Sequence, residues 1–140
     1  MMTTEARLLS LITTLALFAP AAVAQPEQTP AGAKPAMVIV LIYDDSCVTS
    51  CTVVKPIVRE LASEKMVQYE ELNTSRDHLK ETMAKAKALG VEKFVGDRTE
   101  EVPVVGLFTN RGKKLGELTG RKTKEVYKEA IEKAMRKVKA

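Results

Sequence analysis

Tryptophan is absent from this 140-residue sequence, histidine occurs once, cysteine twice, and the aromatic residues amount to three Phe and three Tyr. A core with so few rings must be filled mainly by aliphatic side chains. Two cysteines exclude a multi-disulfide framework and leave room for one bridge or none. The pattern also excludes collagen, a coiled coil, a repeat array and a multi-span membrane protein. What is present is 45% hydrophobic and 29% charged, with seven Gly and six Pro. That balance belongs to a folded chain rather than a disordered one, and the length suits one domain.

The first 24 residues read as a secretory signal peptide. Arg7 supplies a positive start, the stretch from Leu8 to Ala19 is apolar, and Ala22-Val23-Ala24 is a small-x-small cleavage site. The apolar stretch is too short for a membrane-spanning helix, which needs roughly 20 residues. Cleavage is expected after Ala24, with no stable membrane insertion afterwards and a periplasmic or secreted destination. No Cys follows the apolar run to carry a lipid. Residues 25–36 (QPEQTPAGAKPA) are Pro-rich and read as a flexible leader, and residues 37–140 as the folded domain. A compartment beyond the membrane is oxidising, so a cysteine pair is chemically meaningful there.

Charge is uneven. Residues 111–140 hold eleven Lys/Arg against four Glu, a net of +7, whereas residues 25–110 hold ten basic and thirteen acidic residues, a net of −3. The basic residues alternate with Glu along a helical pattern without interleaved aromatics. That is a solvated helix face rather than a nucleic-acid footprint, so no nucleic-acid partner is expected.

Periodicity predicts alternating strands and helices. Met37 to Tyr43 is a continuous β-branched run, as in a strand buried on both faces in the middle of a parallel sheet. A helix is predicted from about Cys47 to Lys65, with Val54, Ile57, Val58 and Leu61 on one face and Pro56 expected to kink it. A second strand is read at Met66–Leu72 and a second helix at Arg76–Leu89, stopped by Gly90. The stretch from Val91 to Glu101 reads as an irregular connection. A third strand at Val102–Phe108, a hairpin loop at Thr109–Lys113 and a fourth strand at Lys114–Thr119 follow. The last helix runs from Thr123 to about Val138 with Val126, Tyr127, Ile131, Ala134, Met135 and Val138 as its apolar stripe. The order β-α-β-α-β-β-α implies an α/β fold: a four-stranded mixed sheet with helices on both faces.

The chemistry gathers where the first strand meets the first helix. Cys47 and Cys51 are four residues apart. If both lie on the helix they share a face about 5–6 Å apart, within the Cα spacing a disulfide allows. Unpaired N–H groups and the helix dipole there favour a thiolate, the attacking species in disulfide exchange. Such a site needs neither metal nor cofactor.

Taken together these features resemble the thioredoxin superfamily over residues 37–138. An apolar strand runs into a Cys pair at a helix start, Pro56 follows Cys51 by five residues, Val102-Pro103 opens the third strand, and Phe108–Gly120 (FTNRGKKLGELTG) looks like the family's closing hairpin. The sequence departs from the family in having C-x-x-x-C in place of C-x-x-C, Ser46 in place of a preceding Trp, and Leu41 where the family often has a buried acid, a role left to Asp44 or Asp45. The resemblance implies a thioredoxin-like fold, Cys47 as exposed nucleophile, Cys51 as buried resolving thiol, Pro56 as structural helix kink, and a cis Pro103 beside the dithiol. Val102 would offer backbone hydrogen bonds to a partner's extended chain. The implied function is an extracytoplasmic thiol–disulfide oxidoreductase, monomeric, acting on protein thiols and disulfides.

Other readings stand beside it. The pair could be an inert bridge, although a loop so short removes little unfolded-state entropy. The C-x-x-x-C spacing also resembles copper(I)-delivering assembly factors of this fold, since two thiolates suit Cu(I). That family has a late His and a Pro after its second Cys, where this sequence has His78 just after the second strand and Thr52. A non-catalytic binding module is a third reading. His78 is expected to be exposed, and Asn73-Thr74-Ser75 fits a glycosylation sequon.

Overall fold

The computed structural model describes residues 35–98 and 100–140. The signal peptide, its cleavage site and the leader up to residue 34 lie outside the described residues. The elements are β1 (Met37–Tyr43), α1 (Val48–Glu64), β2 (Gln68–Asn73), α2 (Leu79–Leu89), α3 (Glu92–Asp97), β3 (Val104–Thr109), β4 (Lys114–Thr119) and α4 (Lys124–Lys139).

β1 is the centre of the sheet. The strand order is β2-β1-β3-β4, with β1 parallel to β2 and antiparallel to β3, and β3 antiparallel to β4. The strand is therefore buried in the middle of a mixed sheet, not of a parallel one. Its alternation builds two cores at once. Met37, Ile39 and Leu41 face α1 and α4, where they meet Val54, Val58, Leu61, Tyr127 and Ile131. Val38, Val40 and Ile42 face the opposite layer, where they meet Leu72, Ala86, Val91, Val95 and Phe108. Each such aliphatic side chain contributes on the order of 1.5–3 kcal/mol when fully withdrawn from water.

The structure corrects several sequence expectations. The connection after Gly90 is not irregular but contains α3, whose Val95 is fully buried and whose Phe94 meets Phe108 edge to face at 4.9 Å between centroids. A helix of six residues, less than two turns, is too short for its periodicity to stand out. β2 begins at Gln68, because Lys65 and Met66 close α1 in a turn with Met66 at φ 54°. α2 begins at Leu79, with the preceding residues in a turn in which the N–H of His78 donates to Ser75 O. β3 begins at Val104, since Pro103 before it has no N–H to give. Val126, placed in the apolar stripe of α4, is 42% exposed. Pro56 lies inside α1, as the sequence places it, and is exposed.

Two glycines meet where α2 ends. Gly90 caps α2 in the left-handed region, and Gly112 in the β3–β4 turn has φ +83° with its missing Cβ only 2.5 Å from Gly90 O. Side chains rarely adopt that φ, and the contact is with backbone, which cannot swing away. Gly112→Ala should therefore lower stability by about 2 kcal/mol. The check is a urea titration, in which the midpoint falls at unchanged slope.

Candidate functional site

β1 ends at the same edge of the sheet at which β3 begins: Ile42 pairs with Val104. The chain leaves Tyr43 into a short loop and enters α1 with Cys47 as its N-cap residue. The loop is held by polar contacts. Asp44 Oδ1 accepts from the backbone N–H of Ser46 at 2.9 Å, the N–H of Cys47 at 3.1 Å and the Ser46 hydroxyl. Asp45 ties the loop to the segment after β2: its carboxylate accepts from Asn73 Nδ2 at 3.1 Å, and its N–H donates to Ser75 Oγ at 2.9 Å. The Asn73 bond first, then Ser75, holds the Asp45 carboxyl below its ordinary range. Thr74, 7% exposed, donates to Tyr43 O from both its N–H and its hydroxyl. The three residues of the sequon thus brace the cysteine loop, and the Asn73 amide is already engaged.

Cys47 and Cys51 are joined in a disulfide with their Cα atoms 5.4 Å apart. Cys47 is half-buried and Cys51 is 4% exposed. α1 has no side-chain cap on its first N–H groups and no acid in its first turn. The reduced sulfurs would therefore face uncompensated amide dipoles, which stabilise a thiolate.

Both cysteines line a depression of about 190 Å³ with Tyr43, Asp44, Asp45 and Lys55. Among the described residues Lys55 is the one cation on that lining. It stands four residues after Cys51, one turn along the same face of α1. Its Nζ lies 3.2 Å from the centre of the Tyr43 ring and 3.6 Å from Glu71. Glu71 is the register partner of Leu41, so a carboxylate sits one strand away from the position where Leu41 fills the core. Neither Asp44 nor Asp45 takes up a buried acid's place: both carboxylates are committed to the loop. Burial pushes the Glu71 carboxyl up, but hydrogen bonds from Arg59 and from Tyr69 (3.0 Å), with the charge of Lys55, bring it below its ordinary value. Burial, and then the Glu71 charge, push the Tyr69 hydroxyl far up, so it remains a donor.

Of the residues singled out in the sequence, Cys47 and Cys51 are brought together at the start of α1. Pro103 is buried and its bond to Val102 is cis, while Val102 is half-buried. Both stand at the sheet edge that carries the cysteine loop, though neither lines the depression itself. Pro56 lies one residue past Lys55 on α1. His78 is exposed at the start of α2 and does not line the depression. Among the described residues no group of three or more His, Cys, Asp or Glu side chains is gathered to hold a metal ion. The sequence reading missed Lys55 and Glu71; the i, i+4 spacing from Cys51 was the available signal for Lys55.

No protein-family model and no curated protein sequence matches the chain. Solved structures do. Fasciola hepatica thioredoxin is similar at 20% identity over 72% of this chain and 83% of that one, with a TM-score of 0.51. A mutant thioredoxin from Halobacterium salinarum NRC-1 is 26% identical over 70% and 74%, at 0.50. Reduced Schistosoma mansoni thioredoxin pre-protein is 21% identical over 71% and 80%, also at 0.50. The fold is thioredoxin-like. It carries a cysteine pair able to close a disulfide at the start of α1.

The depressed Glu71 carboxyl has a consequence for stability. A carboxyl whose folded pKa lies below its unfolded value of about 4.3 contributes stability above that value and loses it as pH falls through the folded pKa. Unfolding free energy should therefore decline on acidification below about pH 4.3, and Glu71→Gln should flatten that part of the decline. Denaturant titrations of both proteins between pH 7 and 3 check this.

Proposed function

We propose that this chain is a thiol–disulfide oxidoreductase that works outside the cytoplasm, after cleavage following Ala24, on protein thiols and disulfides. The observation that carries the reading is the asymmetry of the pair: Cys47 is reachable at the helix N-terminus and Cys51 is buried one turn below. In the reducing direction the Cys47 thiolate attacks one sulfur of a partner disulfide. A mixed disulfide forms and the partner's other sulfur leaves as a thiolate. The Cys51 thiolate then attacks Cys47 Sγ, closing the internal bridge and releasing the partner's second thiol, so two electrons pass to the partner. In the oxidising direction the same steps run backwards. No metal or cofactor enters either sequence. Val102 and Pro103, at the same sheet edge, would receive the partner's extended segment.

The test uses residues 25–140. Cys51→Ser should accumulate mixed disulfides with disulfide-bearing partners, because nothing resolves them, and Cys47→Ser should accumulate none. Trapping by neither variant, with a pair that resists equilibration in thiol/disulfide buffers between about −120 and −270 mV, would sink the exchange reading in favour of an inert bridge. For the location, the intact mass of protein recovered from a secreting bacterial host should match a chain beginning at Gln25; a full-length mass would refute cleavage.

Lys55 should raise the thiolate fraction of the reduced pair. Lys55→Met should slow alkylation of reduced Cys47 at pH 7 by about three- to ten-fold, equivalent to roughly half to one pKa unit, whereas Lys55→Arg should preserve the rate.

A further inference from the structure

Past Cys51, α1 carries Val53 and Ile57 into a second depression, about 440 Å³, whose apolar floor also includes Val126 and whose rim carries Arg121 and Lys122. Three facts about this place do not serve the fold. Val126 belongs to the apolar stripe of α4 by sequence but is 42% exposed. Arg121 and Lys122 immediately precede Thr123, the N-cap of α4, where the helix dipole disfavours cations. Among the described residues neither is held by a carboxylate: Glu60 and Glu64, the acids of α1 on this side, are taken by Lys124.

The rim is also tied down by hydrogen bonds. Buried Tyr127 donates its hydroxyl to Gly120 O at 3.0 Å and accepts from the N–H of Lys122 at 3.2 Å. The N–H of Gly120 donates to Pro103 O at 2.8 Å. The same helix, α1, thus carries the cysteine pair and the apolar wall of the depression, and Gly120, next to Arg121, is tied by its backbone to the cis-proline.

We propose that this depression docks the partner polypeptide during exchange, through a segment that carries apolar and acidic side chains next to its own cysteine. The apolar side chain covers Val53, Ile57 and Val126, and the carboxylates supply the counter-charge that Arg121 and Lys122 lack among the described residues. This inference rests on the exchange reading above and adds to it a class of partner.

The experiment compares three synthetic peptide disulfides with Asp/Glu, Lys or uncharged flanks around one apolar residue, together with hydroxyethyl disulfide, on residues 25–140, with glutathione returning the Cys47–Cys51 pair to the dithiol after each turnover and the uncatalysed rate subtracted. The acidic peptide should exceed the basic one by about ten-fold in kcat/KM, and the gap should shrink with added salt. Arg121→Glu/Lys122→Glu should reverse the preference while hydroxyethyl disulfide turnover stays unchanged. Equal rates for the three peptides, or a preference that survives the double charge reversal, would overturn the docking assignment while leaving the exchange reading intact. A wild-type protein inactive on every disulfide would refute exchange instead. In that event, fluorescence anisotropy of the acidic peptide on Cys47→Ser/Cys51→Ser reads docking alone: binding abolished by the charge reversal supports the site, and absence of binding overturns it. Binding to phosphatidylglycerol vesicles without binding to the peptide would also overturn it, since the partner would then be a lipid surface.

Discussion

Burial of β1 on both faces is the constraint from which the rest of the structure follows. Met37 through Ile42 are all withdrawn from water, and their alternation feeds one core beneath α1 and α4 and another beneath α2 and α3. A strand with no polar face cannot lie at an edge, so neighbours must pair on both sides. β2 takes one side in parallel and β3 the other in antiparallel sense. Those two pairings deliver the end of β1, the end of β2 and the start of β3 to one edge of the sheet. The cysteine loop, the Asn73–Ser75 brace and the cis-proline are the three segments that emerge there.

At that edge polar contacts take over from apolar packing. The loop from Asp44 to Ser46 has no apolar side chain to bury, and its position comes from the Asp44 turn and from the cross-links of Asp45 to Asn73 and Ser75. Local side-chain acceptors of this kind compete well with helix formation, which is why α1 starts no earlier than Val48. The result holds Cys47 at the boundary between loop and helix while Cys51 lies one turn inside. The difference in exposure between two chemically identical thiols is thus a product of where the helix begins.

Much of this was legible because it is periodic or punctuated. β1, with its unbroken run, and β4, framed by Gly112 and Gly120, have the bounds the sequence suggests. The cysteine pair at a helix start and the Val102-Pro103 step were legible from spacing and from the family pattern they resemble. The features that escaped are of another kind. α3 spans less than two turns and is fixed by Val95 and by Phe94 on Phe108, a contact between residues distant in sequence. Gly106 permits that contact, since a Cβ there would meet the Phe108 and Phe94 rings at 2.5 and 2.8 Å. The approach of Glu71 to Lys55 depends on the β1–β2 register, and the exposure of Val126 on the crossing of α4 over α1. Neither is encoded in local pattern.

The three-residue spacing between the cysteines sets where the first of them sits on α1. With three intervening residues Cys47 occupies the N-cap itself, the position from which a side-chain acceptor normally satisfies the first free N–H groups. In the bridged form that acceptor is missing, and no first-turn acid replaces it. A Cys47 thiolate would supply it, so the helix start interacts more favourably with the reduced pair than with the oxidised one. Lys55 acts in the same sense from the other wall of the depression, whereas the carboxylates of Asp44 and Asp45 act against it. Of these charges, the two carboxylates are already engaged by N–H and amide donors, which disperses their field. Lys55 is shared between the Tyr43 ring and a Glu71 that Arg59 and Tyr69 also serve. Stabilising the reduced form makes a dithiol pair the more oxidising partner in exchange. The N-cap position of Cys47 and the charge of Lys55 therefore both act toward the oxidising direction of the proposed exchange.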